Sequence, residues 1–113
     1  MDDDVNLCVL GGQLAAAPEQ REFQTTRLLR LLLVVRSQTP RHRVDVVPVT
    51  WWDPPDHVWG TRFTDGAKVW VSGSVQRRFW EDADGRRSRI EVVAEHVAFP
   101  GRDDLGSEDA SSG

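Results

Sequence analysis

The sequence predicts an all-β domain, a five-stranded barrel with one short helix between strands 3 and 4. Three observations carry that prediction. Runs rich in Val, Leu, Ile and Trp alternate with polar residues along the chain, the period of strands with one buried face. An Asp84-Gly85 pair separates the two arms of a β-hairpin. Between the third and fourth runs, Asp53-Pro54-Pro55-Asp56 has the composition of a helix start, with Asp53 as cap, Pro54 in the first turn and Asp56 at the positive end of the dipole. A chain of 113 residues supports one domain with a single modest core.

In chain order, Val5 to Leu14 reads as the first strand, with Leu7 and Val9 buried, Cys8 as a small core residue, and Gly11-Gly12 permitting a bulge or bend. Ala15 to Thr26 is a loop with a short extended piece. Arg27 to Arg36 is dense enough in Leu and Val to be a buried helix, but its length, the Val34-Val35 pair and the neighbouring strands favour β. Leu29, Leu31, Leu33 and Val35 then face the core, while Arg30, Leu32, Val34 and Arg36 face outward. After a polar loop from Ser37 to Arg43, the third strand runs from Val44 to Trp52, with Pro48 marking an edge or a break in the ladder. The helix ends near Gly60 or Phe63 and packs through Val58 and Trp59. Asp65-Gly66 turns the chain into Lys68 to Glu81, and the last strand spans Ser88 to Phe99.

The hairpin is where chemistry concentrates. Period-2 geometry puts Gln76, Arg78 and Trp80 on one face of its first arm and Val75, Arg77 and Phe79 on the other. Arginine beside tryptophan on an open strand suits a phosphate and a base; the plainer reading is an edge hairpin with solvated charges and one packed aromatic. Trp59 and Trp70 read as core or interface packing.

The net charge of −4 is unevenly placed. Residues 1–4 form an acidic extension and 101–113 an acidic, Ser/Gly-rich tail whose composition predicts disorder. Residues 5–100 between them hold 11 acids against 13 bases, so the domain itself is slightly basic. No apolar run is long enough for a membrane span and the acidic N-terminus is unlike a targeting peptide, which predicts a cytoplasmic protein. One cysteine excludes an internal disulfide, and His42, His57 and His96 lack metal-ligand spacing, so no metal or cofactor is expected. As a catalytic centre, His57 with Asp53 or Asp56 lacks a nucleophile to activate. The nearly unbroken apolar run from Leu28 to Val35 predicts self-association, with Val5 to Val9 as the preferred contact.

Three strands, a short helix and two further strands are the order of an OB-fold. The chain also resembles the bacterial single-stranded DNA-binding protein family over most of residues 6–99. The matching pieces are Val9 to Leu14 with Pro18-Glu19, Asp45 to Trp52, Gly66 to Gly73, Arg78 to Asp82 with Asp84-Gly85, and Glu91 to Glu95. The resemblance implies sequence-independent binding of single-stranded DNA without catalysis, in replication, recombination or repair, by a nucleoid-associated homodimer or homotetramer that takes no small-molecule substrate. It places Trp52 and Trp80 at the family's stacking aromatics, Trp51 inward, Arg78 at a basic position beside the second stacker, and Arg30, Arg36 and Arg43 along the DNA path. Arg41 and Arg86 complete the expected binding set. The connections near Thr25-Thr26 and Ser37 to His42 are shorter than is usual in the family, which implies a groove for fewer nucleotides, and the tail lacks the family's terminal hydrophobic pair. The rival reading is an OB-fold accessory subunit of the primosome type that acts mainly through protein contacts.

Overall fold

The computed structural model describes residues 4–59, 61, 63 and 66–101. The expected acidic ends, residues 1–4 and 101–113, lie outside the described residues apart from Asp4 and Gly101. Six strands are present among those described: β1 (Cys8–Leu14), β2 (Glu19–Glu22), β3 (Arg27–Ser37), β4 (Arg43–Trp52), β5 (Lys68–Asp82) and β6 (Gly85–Ala98). Their order is β1-β5-β6-β4-β3-β2, and a β1–β3 pairing at Gln13↔Val34 and Leu14↔Leu33 closes five of them into a barrel. β2 is the short extended piece expected before β3, laid antiparallel on that strand's edge. The fold is therefore the all-β OB-type barrel that the strand order predicts.

Alternation decides which residues fill it. Leu29, Leu31 and Leu33 of β3 meet Val49 and Trp51 of β4, Val69 and Val71 of β5, and Val92 and Ala94 of β6 in one buried cluster. Phe63 and Phe99, stacked with ring centroids 4.7 Å apart, join that cluster from outside the strands, as does Val58. β4 and β6 run parallel and pair only at Val49↔Val92 and Thr50↔Val93. Pro48, which has no N–H to donate, stands just before that short seam. The register shifts between Ser72↔His96 and Gly73↔Ala94, leaving Glu95 of β6 as the extra residue of a bulge where the barrel ends, and a Cβ on Gly73 would lie 2.0 Å from the Val93 carbonyl oxygen, so only glycine fits there.

Two expectations are corrected. Leu7 and Val9 are 71% and 64% exposed, not buried; Cys8 and Leu10 turn inward instead. The phase is set by Leu14, which is fully buried at the seam with β3, and counting back in twos from it leads to Leu10 and Cys8. The helix after β4 is replaced, among the described residues, by turns in which the Val58 and Trp59 amides donate to the Pro55 carbonyl and the Thr61 amide to that of Val58. Asp53 is not a helix cap. It sits at φ +51°, where its carboxylate accepts from the Arg27 amide at 3.0 Å and its own amide donates to the Arg27 carbonyl at 2.7 Å, extending the β3–β4 ladder. Asp56 likewise serves an ion pair with Arg27 rather than a helix dipole. Of the two tryptophans expected in core or interface packing, Trp70 is 51% exposed, outside the core, and lies over Gly11, where a Cβ would come within 2.5 Å of the ring. Trp59 is half-buried against the core, with the Arg27 guanidinium 4.9 Å from its ring.

Candidate nucleic-acid interface

The outward rows of β3, β4, β6 and β5 meet in one surface because their registers align. Arg30 lies across from Thr50, and Thr50 across from Val93. Along the hairpin, Gln76 faces Glu91, Arg78 faces Arg89, and Trp80 faces Arg87. Partners in register point to the same side, so Arg30, Arg78 and Arg89 gather around Glu91.

The electrostatics of that group are unbalanced. Glu91 is buried, accepts a hydrogen bond from the Thr50 hydroxyl at 2.9 Å, and stands 3.9 Å from an Arg78 guanidinium nitrogen. Glu91 and Glu19, the latter across from Arg30 on β2, are the two carboxylates that oppose the three guanidinium charges there. The Arg30 Nε is buried without a hydrogen-bond partner. Burial, and then the charges of Arg78 and Arg89, push the Arg30 guanidinium below its ordinary pKa, against the opposing pull of Glu91 and Glu19. A buried donor left unmade and a surplus of like charge both favour an incoming anion with acceptor oxygens, which a phosphate supplies.

Aromatic surface flanks the cationic group. Trp80 is 39% exposed, with the Arg89 guanidinium 5.8 Å from its ring. Trp52, 45% exposed, lies two residues beyond Thr50 on the same side of β4, tilted against Phe23 at a centroid distance of 6.1 Å. Trp51 points into the core, as expected.

The structure thus brings Arg30, Arg78 and Trp80 to one surface and sets Trp52 on its β4 side. It does not bring in the rest of the expected set. Arg36 is six residues along β3 from Arg30, about 20 Å at strand rise, and donates to the Gln13 side chain at 2.7 Å near Trp70 and Lys68. Arg43 is committed to Asp45 at 2.9 Å, and that hydrogen bond, then the carboxylate's charge, raises its pKa. Arg41 is exposed in the loop between β3 and β4. Arg86 stands on the opposite face of the hairpin, 5.2 Å above the Phe79 ring. Sequence reasoning missed Arg89, Glu91 and Thr50. Counting outward from the turn pairs Arg78 with Arg89, so the first was there to be found.

Known proteins share this sequence pattern. The profile of the single-strand binding protein family matches residues 5–100. A single-stranded DNA-binding protein of Caldanaerobacter subterraneus subsp. tengcongensis is 31% identical over 101 residues, 84% of this chain and 67% of that protein. Single-stranded DNA-binding protein 1 of Clostridium acetobutylicum is 31% identical over 102 residues, 84% of this chain and 93% of that protein. A third relative, the single-stranded DNA-binding protein of Clostridium tetani, is 30% identical over 101 residues, 84% of this chain and 70% of its own. The matched segment takes in all six strands and every residue of the cationic group. The chain belongs to the single-strand binding protein family.

Proposed function

We propose that this protein binds single-stranded DNA without base specificity and without catalysis, serving replication, recombination or repair. The strand's phosphates seat on Arg30, Arg78 and Arg89, and its bases stack on Trp52 and Trp80. The observation that carries this reading is the buried, unpartnered Arg30 Nε among two further arginines, beside exposed tryptophans. Bases in a single strand expose their faces to such platforms, whereas a duplex hides them. The names of the relatives support the same ligand. A competition titration tests it: labelled oligo(dT) bound to the protein should be displaced by unlabelled single strand and not by duplex of equal length, and displacement by both alike would overturn the reading.

The working form is a homodimer or homotetramer. Val5, Leu7 and Val9 form an exposed apolar row, and β1 pairs with β3 only from Gln13 onward, which leaves the edge from Cys8 to Gly12 open to another strand. The Asn6 side chain prolongs the row by exchanging two hydrogen bonds, 2.8 and 2.9 Å, with the Val75 backbone. Leu7→Glu should shift the molar mass in solution toward the monomer.

A further inference from the structure

The β5–β6 hairpin has a second face that the proposed site leaves unused. β1 pairs with β5 only as far as Gly73, β4 pairs with β6 only at Val92 and Val93, and Asn6 reaches Val75. From residue 77 to residue 90 the two strands have no strand partner but each other, so the arm extends past the strands that flank it in the barrel. Its inward row nevertheless keeps a core-like composition. Phe79 and Ile90 are 56% and 52% exposed and Val75 is exposed beside them. Two arginines share that side: Arg86 covers the Phe79 ring, and Arg77 donates to the Ser88 hydroxyl at 3.0 Å. Neither has a carboxylate partner among the described residues, in contrast to Arg87 on the other face, which is held by Asp82 and Asp84.

We infer that this face, built on Phe79, Arg77 and Arg86, is a second stacking and phosphate-binding surface for single-stranded nucleic acid, so that a strand leaving the Trp80 side passes around the arm. The inference rests on the proposed single-strand binding. Each face then offers one aromatic ring with a guanidinium over it, Trp80 with Arg89 and Phe79 with Arg86. A ring lends its face to any base, and an arginine stacked on it can swing to a phosphate. Charge argues against a second copy of the chain as the occupant. A two-fold contact would press two copies of this arginine-bearing face together, with Glu81 the single acid on each row to offset Arg77 and Arg86.

The test uses the full chain and oligo(dT) of about 5 and about 16 nucleotides, near the two ends of what one OB-fold covers. Phe79→Ala should lower affinity for the longer strand about tenfold, a modest stack lost, and leave the shorter strand's affinity unchanged. Trp80→Ala should weaken both. Arg86→Gln should reduce the dependence of log K on log salt by about 0.7 for the longer strand alone. Phe79→Tyr, which keeps the ring, should bind like the parent, and this separates a stack from a folding defect. If Phe79→Ala weakens neither strand, or both equally, the second face is not a nucleic-acid surface. An acidic protein partner on that face would give the first of those results. If instead the parent protein binds neither strand, the proposed function itself fails.

Discussion

The β5–β6 hairpin passes through two environments, and the same alternation means different things in each. In the wall of the barrel, the inward row of Val69, Val71, Val92 and Ala94 is buried against β3 and β4. Beyond the register shift at Gly73, none of the described residues buries the inward row of Val75, Phe79 and Ile90, which is exposed. A period of two reports which side chains share a face; whether that face is covered depends on where the neighbouring strands stop. The outward row shows the converse. Thr50 and Glu91 are polar, face out of the barrel, and are buried because the arginines close over them.

The largest effect that sharpens this contrast is on stability. Leu31→Ala, at a fully buried site of the wall, should cost about 2–5 kcal/mol in chemical denaturation. On the exposed arm, Phe79→Ala should change stability by no more than about 0.5 kcal/mol. Similar losses from both would mean that the arm has a covering the described residues do not provide.

Next in size is the outward row. Arg30→Gln should weaken oligo(dT) binding at low salt by about 1.5–3 kcal/mol, the range for hydrogen bonds to charged groups. Trp52→Ala and Trp80→Ala should each cost about 1–3 kcal/mol of binding with the fold intact by circular dichroism. Trp70→Ala should leave single-strand affinity unchanged. A binding role for Trp70 in place of Trp52 would move the path of the strand to the opposite wall.

A smaller and opposite change is expected from Glu91→Gln. The amide can keep the Thr50 hydrogen bond while removing the buried negative charge beside Arg30 and Arg78. Affinity for single strands should rise severalfold, while the denaturation midpoint falls because Arg30 and Arg78 lose a buried counter-charge. Arg43→Gln should be nearly silent in binding, since that guanidinium is already committed to Asp45.

How far the sequence foretold these regions depended on how cleanly residue types alternate. β3 could be phased because Leu29, Leu31 and Leu33 are interrupted by Arg30 on the other side. β1 could not be phased locally: Leu7, Cys8, Val9 and Leu10 are all apolar, and only the distant Leu14 fixes which pair turns inward. The segment after β4 was ambiguous because aspartate before proline caps a helix and closes a strand pair with the same side-chain oxygen, and the choice fell to Arg27, 26 residues away. At the site, Trp52, Trp80, Arg30 and Arg78 were legible from composition and face. The Asp45 partner of Arg43, two residues on and therefore on the same face, was equally legible. The burial of Glu91 was not legible, because it depends on arginines from three strands converging.

The central claim is that Arg30, Arg78 and Arg89 together hold phosphate. The most direct measurement is the slope of log K against log salt for oligo(dT) binding, in the parent protein and in Arg30→Gln, Arg78→Gln and Arg89→Gln. Each variant should reduce the magnitude of the slope by about 0.7, the value for one phosphate contact on a single strand. Unchanged slopes in all three, with affinity for single strands retained, would contradict the account and place the phosphates elsewhere on the barrel.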